Sequence, residues 1–163
     1  MGCDIHLFIQ YKRKKEASWH DFGGRIRVWA DYNLFGLLAH GVRTFPDPEG
    51  YAVKGIPADL EKYNAPWKEF FDYIDEPDEP NTVSEARVVN RGGEIYSDSY
   101  NRWTENTDIH SHSYLSLEEY HTAIQRRLLL DYGVDTAYLA VYSAMGTLKT
   151  HYEDVRVVFG FDN

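Results

Sequence analysis

The sequence predicts an α+β fold: a mostly antiparallel sheet containing the N- and C-terminal strands, covered by helices on one face. Three patterns lead there. Residues 3–11 alternate, with Cys3, Ile5, Leu7, Ile9 and Tyr11 on one side and Asp4, His6, Phe8 and Gln10 on the other, the period of two by which a pleated strand buries one face. Residues 155–161 repeat the pattern, setting Val155, Val157, Phe159 and Phe161 against Arg156, Val158 and Gly160. Between them Leu117, Tyr120, Ile124 and Leu128 recur at helical spacing. Strands at both ends with helices between suggest one sheet under one helical layer, the last strand beside the first.

The elements follow in order. A basic run at residues 12–15 leads through Gly23-Gly24 to residues 25–30, where Ile26, Val28 and Ala30 alternate with Arg25, Arg27 and Trp29. This reads as a hairpin with a long loop. Asp31 is placed to cap a short helix carrying Leu34, Phe35, Leu37 and Leu38, and Gly41 to end it in a left-handed conformation. Residues 44–57 hold three prolines and two glycines without apolar periodicity, an irregular loop of the kind that often carries function. Pro66 suits the first turn of a helix with Trp67, Phe70, Phe71 and Ile74 on one face, stopped by Pro77 and Pro80. An acidic linker, residues 75–79, follows. Residues 86–90 and 94–96, joined by Arg91-Gly92-Gly93, form a second hairpin, and a polar loop then runs to His112. Ser116 and Glu119 make a capping box for the helix that Leu117 opens and Gly133 terminates. Tyr138, Val141, Tyr142, Met145 and Leu148 fit a further helical stripe within residues 136–149.

A chain of 163 residues is the size of one domain, so residues 1–163 are expected to fold as a single globular unit. Its 26 acidic against 17 basic residues give a formal charge of −9, which disfavours genomic DNA and anionic membrane surfaces as partners. It leaves room for a small anion, because a few inward-facing arginines can hold a phosphate inside an acidic exterior. Cys3 is the sole cysteine, so no intrachain disulfide forms, and the first residues lack the apolar run of a secretory signal. Cytoplasm is the expected location, and no apolar stretch approaches the ~20 residues that span a bilayer. Thirteen tyrosines and four tryptophans are compatible with a homo-oligomer.

Two constellations carry chemistry. Asp4 and His6 project from the same strand face, and His110 and His112 repeat that spacing, so with Asp108 they could hold Zn²⁺ or Mn²⁺ and activate water. The competing account is structural: Asp4 accepts backbone hydrogen bonds, His6 donates to a carbonyl, and His110, Ser111 and Ser113 bond to backbone near the helix start. The other constellation would bind phosphate. Arg43, Arg91, Arg102 and Arg156 sit in or beside loops and strand ends, Ser111 and Ser113 add donors, and Trp103, Tyr100 and Tyr114 are placed to stack on a base or to serve as ordinary core and rim rings. There is no phosphate loop of the Walker type, dinucleotide fingerprint, helical metalloprotease pair or nucleophile elbow. The charge of Asp4 would raise the pKa of Cys3, which argues against a thiolate nucleophile.

Met1-Gly2-Cys3-Asp4-Ile5-His6, LFGLLAHGVR over residues 34–43, Gly55-Ile56-Pro57, HSHSYLSLEE over residues 110–119 and DVRVVFGFDN over residues 154–163 together touch most of the chain. In these stretches it resembles an uncharacterised family of small bacteriophage and prophage proteins that begin MGCDIH. Gln10, where the resemblance leads one to expect an acidic residue, and Gly160, where it leads one to expect an aromatic, depart from that pattern. The resemblance implies no established activity and no functional residues. It implies a bacterial host cell as the setting and an accessory phage protein, a class that often sequesters or cleaves nucleotide immune signals.

The leading expectation is therefore capture of a small phosphorylated nucleotide without a cofactor, with Arg43 and Arg156 as anion clamps, His110, Ser111 and Ser113 as donors, and Trp103 or Tyr114 stacking. A metal-dependent phosphohydrolase using Asp4, His6, His110 and His112 is the alternative, and an inhibitor of a host protein is the third.

Overall fold

The computed structural model describes residues 2–15, 18–43, 50–55, 57, 59, 109–130 and 133–162, together with the backbone of four short strands between residues 73 and 104. Strand β1 (Asp4–Lys12) turns back as β2 (Trp19–Ile26), and helix α1 (Tyr32–Leu38) follows. The short strands are β3 (Tyr73–Ile74), β4 (Val88–Asn90), β5 (Glu94–Ser97) and β6 (Trp103–Thr104). Strand β7 (Ile109–Ser116), helices α2 (Leu117–Leu128) and α3 (Thr136–His151) and strand β8 (Asp154–Asp162) complete the chain. The main sheet has the order β2-β1-β8-β7, and a second sheet the order β3-β6-β5-β4; every pairing is antiparallel. This is the expected α+β architecture, with the two terminal strands side by side from Asp4↔Asp162 to Lys12↔Asp154.

The inner face of this sheet is the one read from the alternation. Cys3, Ile5, Leu7 and Ile9 of the N-terminal segment meet Val155, Val157, Phe159 and Phe161 under a helical layer that contributes Leu34, Phe35, Leu38, Tyr120, Ile124, Tyr138, Val141 and Met145. Each fully buried side chain of this size stabilises the fold by about 1.5–3 kcal/mol. Phe161 packs edge-on against both Phe35 and Phe159. The caps read from sequence are in place: Asp31 accepts from Leu34 N, and Ser116 and Glu119 exchange bonds as a capping box. Asp31 also holds the Nε of Arg127 at 2.9 Å, so one carboxylate starts α1 and ties it to the last turn of α2.

The outer face is buried as well. From Ile5 to Gln10 every residue of β1 is buried, and so is every residue of β8 from Val155 to Phe161. The polar half of each alternation is thus enclosed rather than solvated, unlike the usual antiparallel strand with one face in water. His6, Gln10 and Arg156 are thereby placed in a setting where each needs partners.

Several boundaries differ from the sequence reading. The second strand runs over Trp19–Ile26 and not residues 25–30, because Gly23-Gly24 lie in a bulge within the strand: Leu7 pairs with Ile26 and Ile9 with Phe22, and Gly23 has φ 73°. A strand glycine marks a bulge as readily as a loop. The polar loop expected to reach His112 is strand from Ile109 on, bulged where Ser111, at φ 52°, and His112 stand opposite Gly160. Helix α2 stops at Leu128, and Gly133 shapes the approach to Asp135, which caps α3. Tyr73–Ile74 is strand, so the helix expected from Pro66 does not extend to Ile74; its other residues and the acidic linker lie outside the described residues. The second hairpin is present as β4 paired with β5.

The described part of the proline-rich loop is held by backbone bonds, Tyr51 N to Leu37 O and His40 N to Tyr51 O. Gly50 lies so close to α1 that a Cβ there would collide with the Gly36 carbonyl. This docking delivers Lys54 to the β7–α2 junction, where Ser113 Oγ accepts from its backbone N–H at 3.1 Å.

Candidate functional site

Asp21 pairs with Gln10, Gln10 with Arg156 and Arg156 with Ser116, forming one row across the outer face of the sheet. Residues opposite one another in an antiparallel sheet share a face, so their side chains meet. The Gln10 amide donates to Asp21 Oδ1 at 2.8 Å and its carbonyl oxygen accepts from Arg156 Nε at 2.8 Å. Arg156 Nη1 donates to Asp59 Oδ1 at 2.7 Å, and Asp59 Oδ2 accepts from the Trp19 indole N–H at 2.7 Å. The guanidinium carbon lies 3.9 Å from the Trp19 ring centre and 5.7 Å from that of Tyr114. Arg156 is thus held between two rings, with its fork directed by an amide and a carboxylate.

Burial pulls the Arg156 pKa below its ordinary value, and Asp59 acts against that shift; the group stays cationic regardless. Burial alone would raise Asp59, but the hydrogen bond and charge of Arg156, with the Trp19 N–H, outweigh it and hold the carboxyl below its ordinary value. Arg156 is 6% exposed, and its enclosed Nη2 has no hydrogen-bond partner among the described residues. A buried donor left unsatisfied costs about 1–3 kcal/mol, and more when it is charged.

Arg156 lines a cavity of about 400 Å³ together with Trp19, Lys54, Tyr114, Ser116 and Glu119, within the size range of small-molecule sites. Lys54 Nζ donates to both carboxylate oxygens of Glu119 at 2.7 Å and lies 5.1 Å from the centre of the Tyr114 ring. Glu119 also accepts from Ser116 N at 2.9 Å, so the capping-box carboxylate that starts α2 anchors the lysine too.

Of the expected site residues, Arg156, Tyr114 and Ser113 come together here. Ser113 is fully buried and accepts from Lys54 N, so it positions the lysine. Arg43 is elsewhere: it is bonded to Gly2 O at 3.5 Å and placed over the Tyr32 ring, beside a separate cavity of about 760 Å³. Gln10 lies six residue steps along β1 from Asp4, or about 20 Å at the rise of a β-strand, so Arg43 and Arg156 do not clamp one small anion. His110 and Ser111 belong to the same distant end, where the His110 ring stacks on Phe161 and its Nδ1 lies 3.0 Å from Ser111 Oγ. Trp103 is on β6, its side chain outside the described residues, as are Arg91, Arg102, Tyr100 and Asp108.

The residues considered for a metal have other engagements. His6 Nε2 lies 2.9 Å from Asp162 Oδ2, and the second oxygen of Asp162 accepts from Asp4 N. Burial lowers the His6 pKa, Asp162 counters, and the nearby charge of Arg25 lowers it further, a positive neighbour that works against a dication. His6 and His112 flank Gly160 from β1 and β7. No group of three or more His, Cys, Asp or Glu side chains suited to one metal ion exists among the described residues. The Cys3 thiol is pushed up, chiefly by burial and slightly by Asp4, with Arg43 opposing.

Trp19, Lys54, Asp59 and Asp162 were not singled out from sequence, and Gln10 was noted only as a departure from the family pattern. Gln10 alone left a signal, a polar residue on a strand whose two ends bracket the sheet centre. The others are set by pairings between 40 and 156 residues apart along the chain. No helix among the described residues is long and apolar enough to cross a membrane. No protein-family model, curated protein or solved structure matches the chain.

Proposed function

We propose that this is a phage-encoded binding protein that captures a small phosphorylated nucleotide in the Arg156 cavity, leaving it chemically intact. The observation that carries the reading is Arg156 Nη2, a buried guanidinium nitrogen without a hydrogen-bond partner among the described residues, on an arginine that lines a cavity of about 400 Å³. A phosphate oxygen brought to that nitrogen makes a charge-assisted bond where none exists, and such bonds are the strong ones. Lys54 and Tyr114 are only half-buried and can yield to admit it. Tyr114 offers a ring for a base, whereas Trp19 is already covered by the guanidinium. The phage setting comes from the resemblance of the MGCDIH opening and the other matching stretches.

The test is calorimetric titration of the purified protein with a nucleotide panel, with and without chelator, followed by mass spectrometry of bound and heat-released material. Capture predicts saturable binding that persists in chelator, release of the unchanged nucleotide, and loss of binding in Arg156→Met. Metal-dependent products would transfer the assignment to a hydrolase working at Asp4, His6, His110 and His112. Silence across the panel would sink capture and favour a host-protein target.

A further inference from the structure

We infer that Lys12 is a second anion contact for the ligand taken at Arg156, so that the captured nucleotide is one carrying two phosphate groups, a conclusion that rests on the capture reading. Lys12 ends β1 on the same outer face as Gln10, two residues away. Its cross-strand neighbours are Trp19 on β2 and Asp154 on β8, and both of these line the Arg156 cavity. Lys12 therefore stands at the cavity rim, between two lining residues. Gln10 pairs with Arg156 and Lys12 with Asp154, which makes Arg156 the diagonal neighbour of Lys12, a relation that sets residues about 7–8 Å apart and within reach of long side chains. Both cations converge on one ring: Lys12 Nζ lies 5.8 Å from the centre of Trp19 and the Arg156 guanidinium carbon 3.9 Å from it. Two groups each held that near one ring are at most about 10 Å apart.

The neighbouring carboxylates are engaged elsewhere. Asp154 lies 3.5 Å from Lys149 Nζ and accepts from Val155 N at 2.9 Å, while Glu153 accepts from Lys15 N at 3.3 Å. Among the described residues no carboxylate pairs with Lys12, whose ammonium faces the Trp19 ring. Glu153 N donates to the Lys12 carbonyl at 3.0 Å, which pins the strand end from which the side chain rises. A half-buried lysine in this position brings a compact charge with three donors on a flexible stem, and it can meet an anion without first breaking an ion pair. Arg156 presents one enclosed nitrogen, Nη2. The two together suit a ligand whose first phosphate enters the cavity to reach Nη2 and whose second stays at the rim. A diphosphate and the paired phosphodiesters of a cyclic dinucleotide both supply that chemistry. A charge-assisted contact that remains half in water should strengthen binding about tenfold.

The experiment is calorimetry at fixed ionic strength on wild type, Lys12→Gln and Lys12→Arg, with 5′-monophosphates, 5′-diphosphates and cyclic dinucleotides of the common bases. A 5′-monophosphate and a cyclic dinucleotide each carry about two negative charges, so a preference between them reads the number of phosphates and not the net charge. The expected result is that, for at least one base, the diphosphate or the cyclic dinucleotide binds about tenfold tighter than the monophosphate, and which of them does so identifies the source of the second group. Lys12→Gln should remove most of that preference, and Lys12→Arg should keep it. Monophosphates binding as tightly as both kinds of two-phosphate ligand, or a preference that survives Lys12→Gln, would overturn the role of Lys12 while leaving capture, which Arg156→Met tests, standing. Absence of binding by every nucleotide would remove capture itself and this inference with it.

Discussion

Replacing Arg156 by methionine keeps the length and the apolar stem and removes only the fork. Its bond to buried Gln10 is charge-assisted, worth about 1.5–3 kcal/mol. The Asp59 side chain is 53% exposed and regains water when released, so that pair contributes at most about 1 kcal/mol. Stacking on Trp19 at 3.9 Å adds roughly 1 kcal/mol. Against these stands relief from burying a guanidinium with one unsatisfied nitrogen, worth about 1–3 kcal/mol. The net expectation is a loss of about 2 kcal/mol, or roughly 4–8 °C in Tm for a chain of this length. If ligand is held at Nη2, affinity falls further, by roughly ten- to a hundredfold. Chemical denaturation and calorimetry on the same preparations separate the two effects. Arg156→Lys should retain the charge yet lose the Gln10 bond, falling between wild type and Arg156→Met in stability. Stabilisation by more than about 0.5 kcal/mol in Arg156→Met would refute the account of the row, since even the largest relief from desolvation set against the weakest of these contacts gains no more than that.

Other perturbations probe the supports of the site. Gly50→Ala forces a Cβ into the Gly36 carbonyl; it should cost about 1–3 kcal/mol or detach the segment, seen as faster amide exchange at Lys54 and weaker ligand binding. Glu119→Ala removes the acceptor for Ser116 N and the partner of Lys54, with an expected loss of about 1–2 kcal/mol in urea denaturation. His6 titrates below its ordinary value of 6.5 because it is buried. The folded state then refuses a proton that the unfolded chain accepts, so its contribution is complete above about 6.5 and is lost as pH falls through the folded value. Asp162→Asn removes the influence that holds the His6 value up, and NMR titration of the ring should move to lower pH; an upward move would contradict the pairing.

The sequence by itself determined the elements whose information is local. The β1 and β8 alternations, the Ser116–Glu119 box and the Asp31 cap each lie within a few residues of one another, and the structure contains them. Bulges were misread because glycine permits both a turn and an extra strand residue, and only pairing against β1 distinguishes them. The sequence also supplied Arg156 and Tyr114 as candidates but joined them to Arg43 and His110, which occupy the far end of the strands. Charge and residue type say what a side chain can do, while its neighbours depend on register. Tertiary structure placed β8 between β1 and β7, which set Gln10 against Arg156 across 146 residues of chain, and it enclosed the polar half of two alternations on the covered outer face. Burial is what turns that arginine from a solvated surface charge into a directed donor, because only away from water does an unmet hydrogen bond carry a cost.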